Sequence, residues 1–369
     1  MHLRSKLLLL RVMGLVWIGV AAGKAQTTAP RQPLPLTVDR DPAPSPDPDD
    51  LLPTTDAQGD PSRAGKTAAG DVGKGANGRY TLTRDAYEVR LDASVIDGNG
   101  RTIQTLGQEA FHVFEDSVPQ TINSFRHEDL PVSIGLLIDS SGSMYDKRAA
   151  VDKASLDLVK LSNPKDEEFL VDFSSEAFID QDFTSDITKL QQGLSYINPK
   201  GGTAIYDALV ASADYLSKSA KNPKQVLIII TDGEDNASSA SLEQAIRRIQ
   251  DFDGPVIYCV GLLFGEDTDR REARHARRVL ESISQQTGGA AYFPKSLKEV
   301  DAIAALVAQD IRTQYTIAYR STNPPATGGY RQVHVEAKEK GMGRLDVRTR
   351  SGYFPRTSSA GRNSGTHTE

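Results

Sequence analysis

Cysteine is almost missing from this chain: Cys259 is the only one among 369 residues. An internal disulfide and any cysteine-based zinc cluster are thereby excluded. Positive charge is also short, since 43 Lys and Arg stand against 49 Asp and Glu for a net charge of −6. Dedicated nucleic-acid binders carry a clear basic excess, so no nucleic-acid partner is expected. Beyond the N-terminal end there is no apolar run long enough to span a bilayer as a helix. Apolar residues make up 38%, enough for a core but thin for a chain that folds throughout, which implies an unfolded stretch. At about 150 residues per domain, the length corresponds to roughly two domains.

The N-terminal end reads as an export signal. Arg4 and Lys6 precede apolar stretches at 7–10 and 12–22, interrupted by Arg11, and Gly23-Lys24-Ala25 has the small-x-small spacing of a cleavage site. Residues 1–25 are therefore expected to be removed after Ala25. An uncleaved anchor needs about 20 apolar residues, more than Arg11 leaves, and the lack of a nearby cysteine argues against a lipoprotein. The expected destination is outside the cytoplasm, periplasmic or secreted, with no membrane span after cleavage. Residues 26–78 are rich in Pro, Asp, Thr, Ser, Ala and Gly without an apolar face, and are expected to form a disordered linker.

From residue 80 the pattern changes. Tyr87, Val89, Leu91, Ala93 and Val95 alternate with polar residues, the period of a half-buried strand. Asp97-Gly98-Asn99-Gly100 is a turn. Residues 111–115 and 121–125 read as strands separated by a turn containing Pro119, and 315–320, 330–337 and 345–349 read as strands at the far end. Neither flank, 79–129 or 313–356, has enough strands for a stable sandwich alone. The two are expected to pair into one small β-sandwich-like domain with residues 130–312 inserted between them; a disordered tail is expected at 357–369.

The middle alternates strand and helix. Strands are expected at 132–138, 169–173, 226–230, 256–260 and 290–293, with a weaker edge strand at 177–183. Helices are expected at 147–161, 187–197, 205–216, 241–249 and 269–286, and a last one, capped by Ser296 and Glu299, runs to about residue 312. Ser241 and Gln244 stand at capping-box spacing. This alternation implies an α/β fold with a doubly wound, mostly parallel, Rossmann-like sheet.

Such sheets bind ligands beyond the carboxyl ends of their strands. Strand 132–138 is followed by Asp139-Ser140-Ser141-Gly142-Ser143, strand 226–230 by Thr231-Asp232-Gly233, and helix 205–216 is preceded by Gly201-Gly202-Thr203. These loops offer hard oxygen donors and no soft ones, which suits Mg²⁺, Mn²⁺ or Ca²⁺. Asp139, Ser141 and Ser143 lie two apart, so an extended loop aims all three inward. Neutral hydroxyls supply little charge, so a bound divalent ion would stay electrophilic and gain from an acidic group on a partner.

On these residues the chain resembles the von Willebrand factor type A family. Asp139-x-Ser141-x-Ser143, then Thr203, then Asp232 resembles that family's metal-ion-dependent adhesion site. The segments "LLIDSSGSM", "GGTAIYDAL" and "LIIITDGEDN" are similar to bacterial members over roughly 130–312. The flanks, including "VIDGNGRTIQTLGQEAFHVFEDSVPQTINSF" and "QYTIAYRS", resemble a secreted, acidobacterial-type branch. The resemblance implies hydroxyls of Ser141, Ser143 and Thr203 on the ion, with Asp139 and Asp232 acting largely through water. It implies an open position that takes a Glu or Asp carboxylate from a protein ligand, hence a non-enzymatic adhesion-type binding protein.

Two other classes compete. A metal-dependent hydrolase would use Asp139 as a phosphoryl acceptor, but the usual second aspartate position holds Ser141, no nucleophile elbow or phosphate-cradling loop is present, and no histidine lies in the three loops. A scaffolding protein would keep the site only as a vestige, its polar groups capping helices and turns. Elsewhere, Arg270, Arg271, Arg274, His275, Arg277 and Arg278 read as a solvated helix face and Cys259 as core. His112 and His334 read as packing or surface residues. Asp207 reads as either a group behind Thr203 or a surface residue, and Asn236-Ala237-Ser238 matches a glycan acceptor.

Overall fold

The computed structural model describes residues 72–74, 80–82, 88–251, 254–265, 269–323 and 329–355. The expected export signal, the tail and most of the linker lie outside them. Strands β1 (Val72–Lys74) and β2 (Tyr80–Leu82) pair antiparallel across the boundary placed at residue 78.

Alternation sets the first long strand, β3 (Glu88–Asp97), which buries Val89, Leu91, Ala93 and Val95. Asp97 ends it: Oδ1 accepts from the backbone N–H of Asn99 (2.9 Å) and Arg101 (2.8 Å), making the expected turn. Strands β4 (Phe111–Glu115), β5 (Val118–Gln120) and β6 (Ile122–Arg126) follow. The β4–β5 turn runs through Asp116 and Ser117, with φ of 48° and 66°. Pro119, expected in that turn, sits inside β5. β5 is an edge strand, where a residue without an N–H forfeits no ladder bond.

The pattern then switches. Strands β7 (Val132–Asp139) and β8 (Glu167–Phe173) are buried along their whole length, as strands covered on both faces must be. After them come α1 (Arg148–Lys160, between β7 and β8), β9 (Ala177–Thr184), α2 (Ile187–Tyr196), α3 (Ile205–Ser219) and β10 (Lys224–Thr231). Next are α4 (Leu242–Ile249), β11 (Val256–Gly261), α5 (Arg270–Thr287), β12 (Ala291–Tyr292) and α6 (Val300–Arg312). The sheet order is β12-β11-β10-β7-β8-β9, parallel except for the edge strand β9.

Neighbouring residues of β7 serve opposite layers. Ile134, Leu136 and Ile138 pack with α1, α2 and α6, whereas Leu137 packs with α3, α4 and α5. Gly135 lies where a Cβ would come 2.5 Å from Phe169 Cζ and 2.6 Å from Leu227 Cδ2, so alanine there costs roughly 1–3 kcal/mol of overpacking. The Ser241–Gln244 capping box forms in both directions. The last helix starts differently from expectation: Ser296 makes no side-chain capping bond, and Glu299 Oε2 accepts the Lys295 N–H (2.8 Å) instead.

After α6 the chain returns through β13 (Tyr315–Arg320), β14 (Arg331–Ala337), β15 (Leu345–Arg348) and β16 (Gly352–Tyr353). Two antiparallel sheets result, β15-β3-β13-β6 and β16-β14-β4-β5, and each mixes strands of both flanks around one apolar core. A buried polar clamp joins the flanks. Glu115 accepts from Tyr319 Oη (2.7 Å), Tyr353 Oη (2.8 Å) and Ser321 Oγ (2.5 Å) and pairs with Arg331 (3.4 Å). Burial pushes the Tyr353 phenol up to about 12.

Asp310 of α6 fastens this sandwich to the α/β layers. Its carboxylate accepts from Ser94 Oγ of β3 (3.0 Å), from Tyr258 Oη of β11 (2.6 Å) and from the Arg348 guanidinium of β15. Gly288, in the left-handed region at φ 88°, ends α5 where the C-terminal segment passes. A Cβ there would lie 2.7 Å from the Arg350 nitrogen.

Candidate metal centre

β7 runs out of the sheet at Asp139, which is fully buried. Its Oδ1 accepts the Ser141 N–H (2.8 Å) and its Oδ2 the hydroxyl of Thr231 (2.6 Å), the last residue of β10. One carboxylate thus ties together the carboxyl ends of two adjacent strands. Burial pushes this carboxyl up to about 6, opposed by hydrogen bonds from Thr231 and from the hydroxyl and backbone of Ser141 and assisted by the nearby charge of Asp232. Ser140 bonds to β8 on the other side, through its hydroxyl to Asp172 Oδ2 (2.8 Å) and its N–H to the Phe173 carbonyl (2.7 Å).

The chain of contacts continues outward. Ser141 Oγ and Ser143 Oγ lie 3.1 Å apart, and Ser143 Oγ donates to Asp232 Oδ1 at 2.8 Å. Asp139, Ser141, Ser143 and Asp232 therefore form one connected set. Thr203 joins through its loop. Its N–H donates to Asn236 Oδ1 (2.8 Å), its carbonyl accepts the Asn236 N–H (2.9 Å), and the Lys200 N–H reaches the Ser140 carbonyl (2.7 Å). Gly201 makes that loop possible with φ of 82°, a conformation glycine adopts without steric cost.

A hydroxyl beside a helix start usually caps it, and three residues here do so: Asp186 caps α2, Ser241 caps α4 and Asp269 caps α5. Ser141 makes no such bond to the short 3₁₀ helix Gly142–Lys147 that follows it, and the first N–H groups of α3 are taken by the side chains of Asp235 and Ser238 rather than by Thr203. The hydroxyls of the site are not employed in holding helix ends.

The donor set fits a small divalent cation. Two ligand oxygens at right angles on an ion about 2.1 Å away lie roughly 3 Å apart, and the observed separations are 3.1 Å and 2.8 Å. All the donors are hard oxygens, which such ions prefer. Among the described residues, no cluster of three or more His, Cys, Asp or Glu side chains stands ready for a metal. Hydroxyls must therefore contribute to any cation site in these loops.

Sequence reasoning passed over several participants. Lys147 Nζ lies 2.5 Å from Asp232 Oδ2. Thr231, Asp172 and Asn236 orient the loops from behind. Asp172 had a signal, a carboxylate in an otherwise apolar stretch of a buried strand; Lys147 had none. Asp207 is buried and accepts the N–H groups of Ser239 (2.7 Å) and Ala240 (3.0 Å), so it steadies the loop after Asp232 rather than lying on the surface. Cys259 is fully buried, and burial pushes its thiol up to about 12. His112 and His334 are exposed, as are the five arginines of α5.

Solved structures similar to this chain include three of different origin. The PilB minor pilin from Streptococcus sanguinis is 14% identical over 50% of this chain and 62% of its own, with a TM-score of 0.40. A von Willebrand factor type A protein from Catenulispora acidiphila is 13% identical over 74% of each chain, at 0.41. Proximal thread matrix protein 1 from the mussel byssus, with a zinc-occupied MIDAS motif, is 17% identical over 53% of this chain and 49% of its own, at 0.42. The chain thus spans less than two thirds of the pilin and about half of the thread protein. No curated protein matches. Residues 134–234, from β7 to just past Asp232, match the family model described as the von Willebrand factor type A domain.

Proposed function

We propose that this protein is an exported adhesion-type module that captures an acidic side chain of a partner protein through a divalent cation, Mg²⁺, Mn²⁺ or Ca²⁺. The observation that carries the reading is the set Ser141, Ser143 and Asp232, with oxygens 3.1 Å and 2.8 Å apart and the serines free of helix capping. Type A domains are generally interaction modules without catalysis, which fits loops that lack a histidine.

In this reading Ser141, Ser143 and Thr203 offer neutral oxygens, and Asp139 and Asp232 carry the negative charge. Asp139 also holds the Ser141 backbone and Thr231 in place, so the loop needs little reorganisation. The bound cation would supply one electrophilic coordination position for a carboxylate. The proposed organisation is an export signal at 1–25, a linker at 26–78, the type A domain at 130–312, flanks at 79–129 and 313–356, and a tail at 357–369. Among the described residues, no helix is long and apolar enough to cross a membrane.

The test is a Mn²⁺ titration followed by calorimetry, with Ser141→Ala/Ser143→Ala as the control. Binding by the wild type and its loss in the double variant are expected; a wild type that takes up no divalent ion overturns the reading. Capture of an exported partner that is released by chelator and lost in the same variant would extend it.

A further inference from the structure

We propose that Lys147 sets the specificity of this site. Its ammonium occupies Asp232 when no divalent ion is bound, weakens ion binding, and strengthens the hold of the loaded site on an acidic ligand. The inference rests on the metal-site reading above and deepens it.

The geometry leaves little choice of partner for either group. Lys147 Nζ is 2.5 Å from Asp232 Oδ2, with the lysine side chain 18% exposed and the aspartate side chain 1% exposed. The other oxygen of Asp232 accepts from Ser143. Both oxygens of the site's outer carboxylate are thus engaged, one by a site hydroxyl and one by a cation belonging to the chain. Lys147 is the last residue of the 3₁₀ helix Gly142–Lys147, with α1 starting at Arg148. Its backbone is held by structure on both sides and cannot drift away from the site. Other lysine–carboxylate pairs on the α/β part, such as Lys153–Asp157 and Lys160–Asp157, involve lysines about 60% exposed. Such pairs are screened and weak, whereas an ammonium against a nearly inaccessible carboxylate is felt strongly.

The consequences follow from counting charge. Asp139 and Asp232 contribute −2 and Lys147 +1, for −1. A divalent ion raises the total to +1, and a ligand carboxylate returns it to zero. Without Lys147 the corresponding totals are −2, zero and −1. The lysine therefore opposes the ion and favours the acidic ligand. Lys147→Met should do the reverse on both counts, a pair of opposite shifts that a purely structural lysine would not produce.

The experiment titrates Mn²⁺ alone into the full chain, wild type, Lys147→Met and Lys147→Arg, reading free Mn²⁺ by electron paramagnetic resonance. Acetate is then titrated into each loaded protein as the carboxylate probe. Lys147→Met is expected to bind Mn²⁺ about tenfold more tightly and acetate several-fold more weakly, while Lys147→Arg follows the wild type. Binding by Lys147→Met alone supports the ion-opposing half of the inference and overturns metal-bridged capture as the wild type's function. Equal or weaker Mn²⁺ binding by Lys147→Met, with the wild type binding, overturns the role of Lys147 and leaves the metal-site reading standing. No binding by either overturns both, and unchanged acetate affinity overturns the ligand-favouring half. Lys147→Gln replaces Lys147→Met if the latter fails to fold.

Discussion

At the amino ends of the central strands, buried carboxylates are paired with arginine, backbone N–H and hydroxyl groups of the chain. Asp166 accepts the N–H groups of Val132 (2.8 Å) and Asn163 (2.9 Å) and pairs with the Arg312 guanidinium. Glu167 Oε1 accepts from Ser133 Oγ and the Lys221 N–H, both at 2.6 Å, and Lys224 Nζ donates to the Ile311 carbonyl at 2.5 Å. At the carboxyl ends of the same strands, the buried carboxylates of Asp139 and Asp232 are linked through hydroxyls, with Lys147 on the outer oxygen of Asp232. Hydroxyl oxygens keep acceptor capacity after donating their proton. One end is a closed joint that docks α6, and the other retains lone pairs that an incoming cation can use.

The widest contrast should appear on removing a charged partner from the closed end. Arg312→Ala leaves the carboxylate of Asp166, 1% exposed, without its guanidinium. Breaking a buried pair on one side costs about 3–5 kcal/mol, read as a shift in the urea midpoint. Mn²⁺ affinity should be unchanged, because none of the site's hydrogen bonds involves Arg312. A loss of both stability and affinity would mean that the two ends are coupled and the comparison is wrong.

On the proposed reading, added ion acts only on the open end. At a free Mn²⁺ concentration one hundred times its dissociation constant, linkage stabilises the fold by about 2.7 kcal/mol. Thermal unfolding of the wild type should show that gain, and Ser141→Ala/Ser143→Ala should show none. An equal gain in the double variant would place the ion elsewhere.

Glu168 sharpens the account of the closed end. Burial, with the charges of Asp166 and Glu167, pushes its carboxyl up to about 8 despite Arg312. The folded state therefore holds the proton across a range where the unfolded state has lost it. Stability is fully present below about 4.5, falls as pH rises toward about 8, and is level above that. The loss attributable to this group is a few kcal/mol, and Glu168→Gln should remove that slope from the stability profile. A variant whose slope between pH 5 and pH 8 matches the wild type within error (roughly 0.3 kcal/mol) rules out Glu168 as its source.

The legible parts of the sequence were those where one local rule decides. β7 and β10 are apolar enough to declare strands covered on both faces, and the capping box of α4 is a spacing that formed as written. Pairing of the two flanks was legible because neither could close a core alone. Pro119 misled because proline marks both turns and edge strands, and only the sheet order separates them. β16, at two residues, carries no period to detect. Among the site residues, glycines and alternation marked the loops after β7 and β10. Lys147 was invisible because its partner stands 85 residues away in sequence, and only the folded sheet brings the two together.

The smallest effect separates the two uses of a serine hydroxyl at the open end. Ser241 Oγ accepts the Gln244 N–H at 3.3 Å and completes the cap of α4, so Ser241→Ala should cost about 1 kcal/mol of stability. It touches none of the five site residues, so Mn²⁺ affinity should not change. Ser141 caps no helix, and its hydroxyl lies between Ser143 Oγ and the Asp139 carboxylate. Ser141→Ala should therefore leave unfolding within about 0.5 kcal/mol of wild type, as for substitutions outside the known destabilising mechanisms, while weakening Mn²⁺ binding. The two variants make the same chemical deletion on loops at one end of one sheet. If both lost stability and neither lost affinity, the hydroxyls after β7 would be ordinary turn-holders, and the contrast between the two ends would fall.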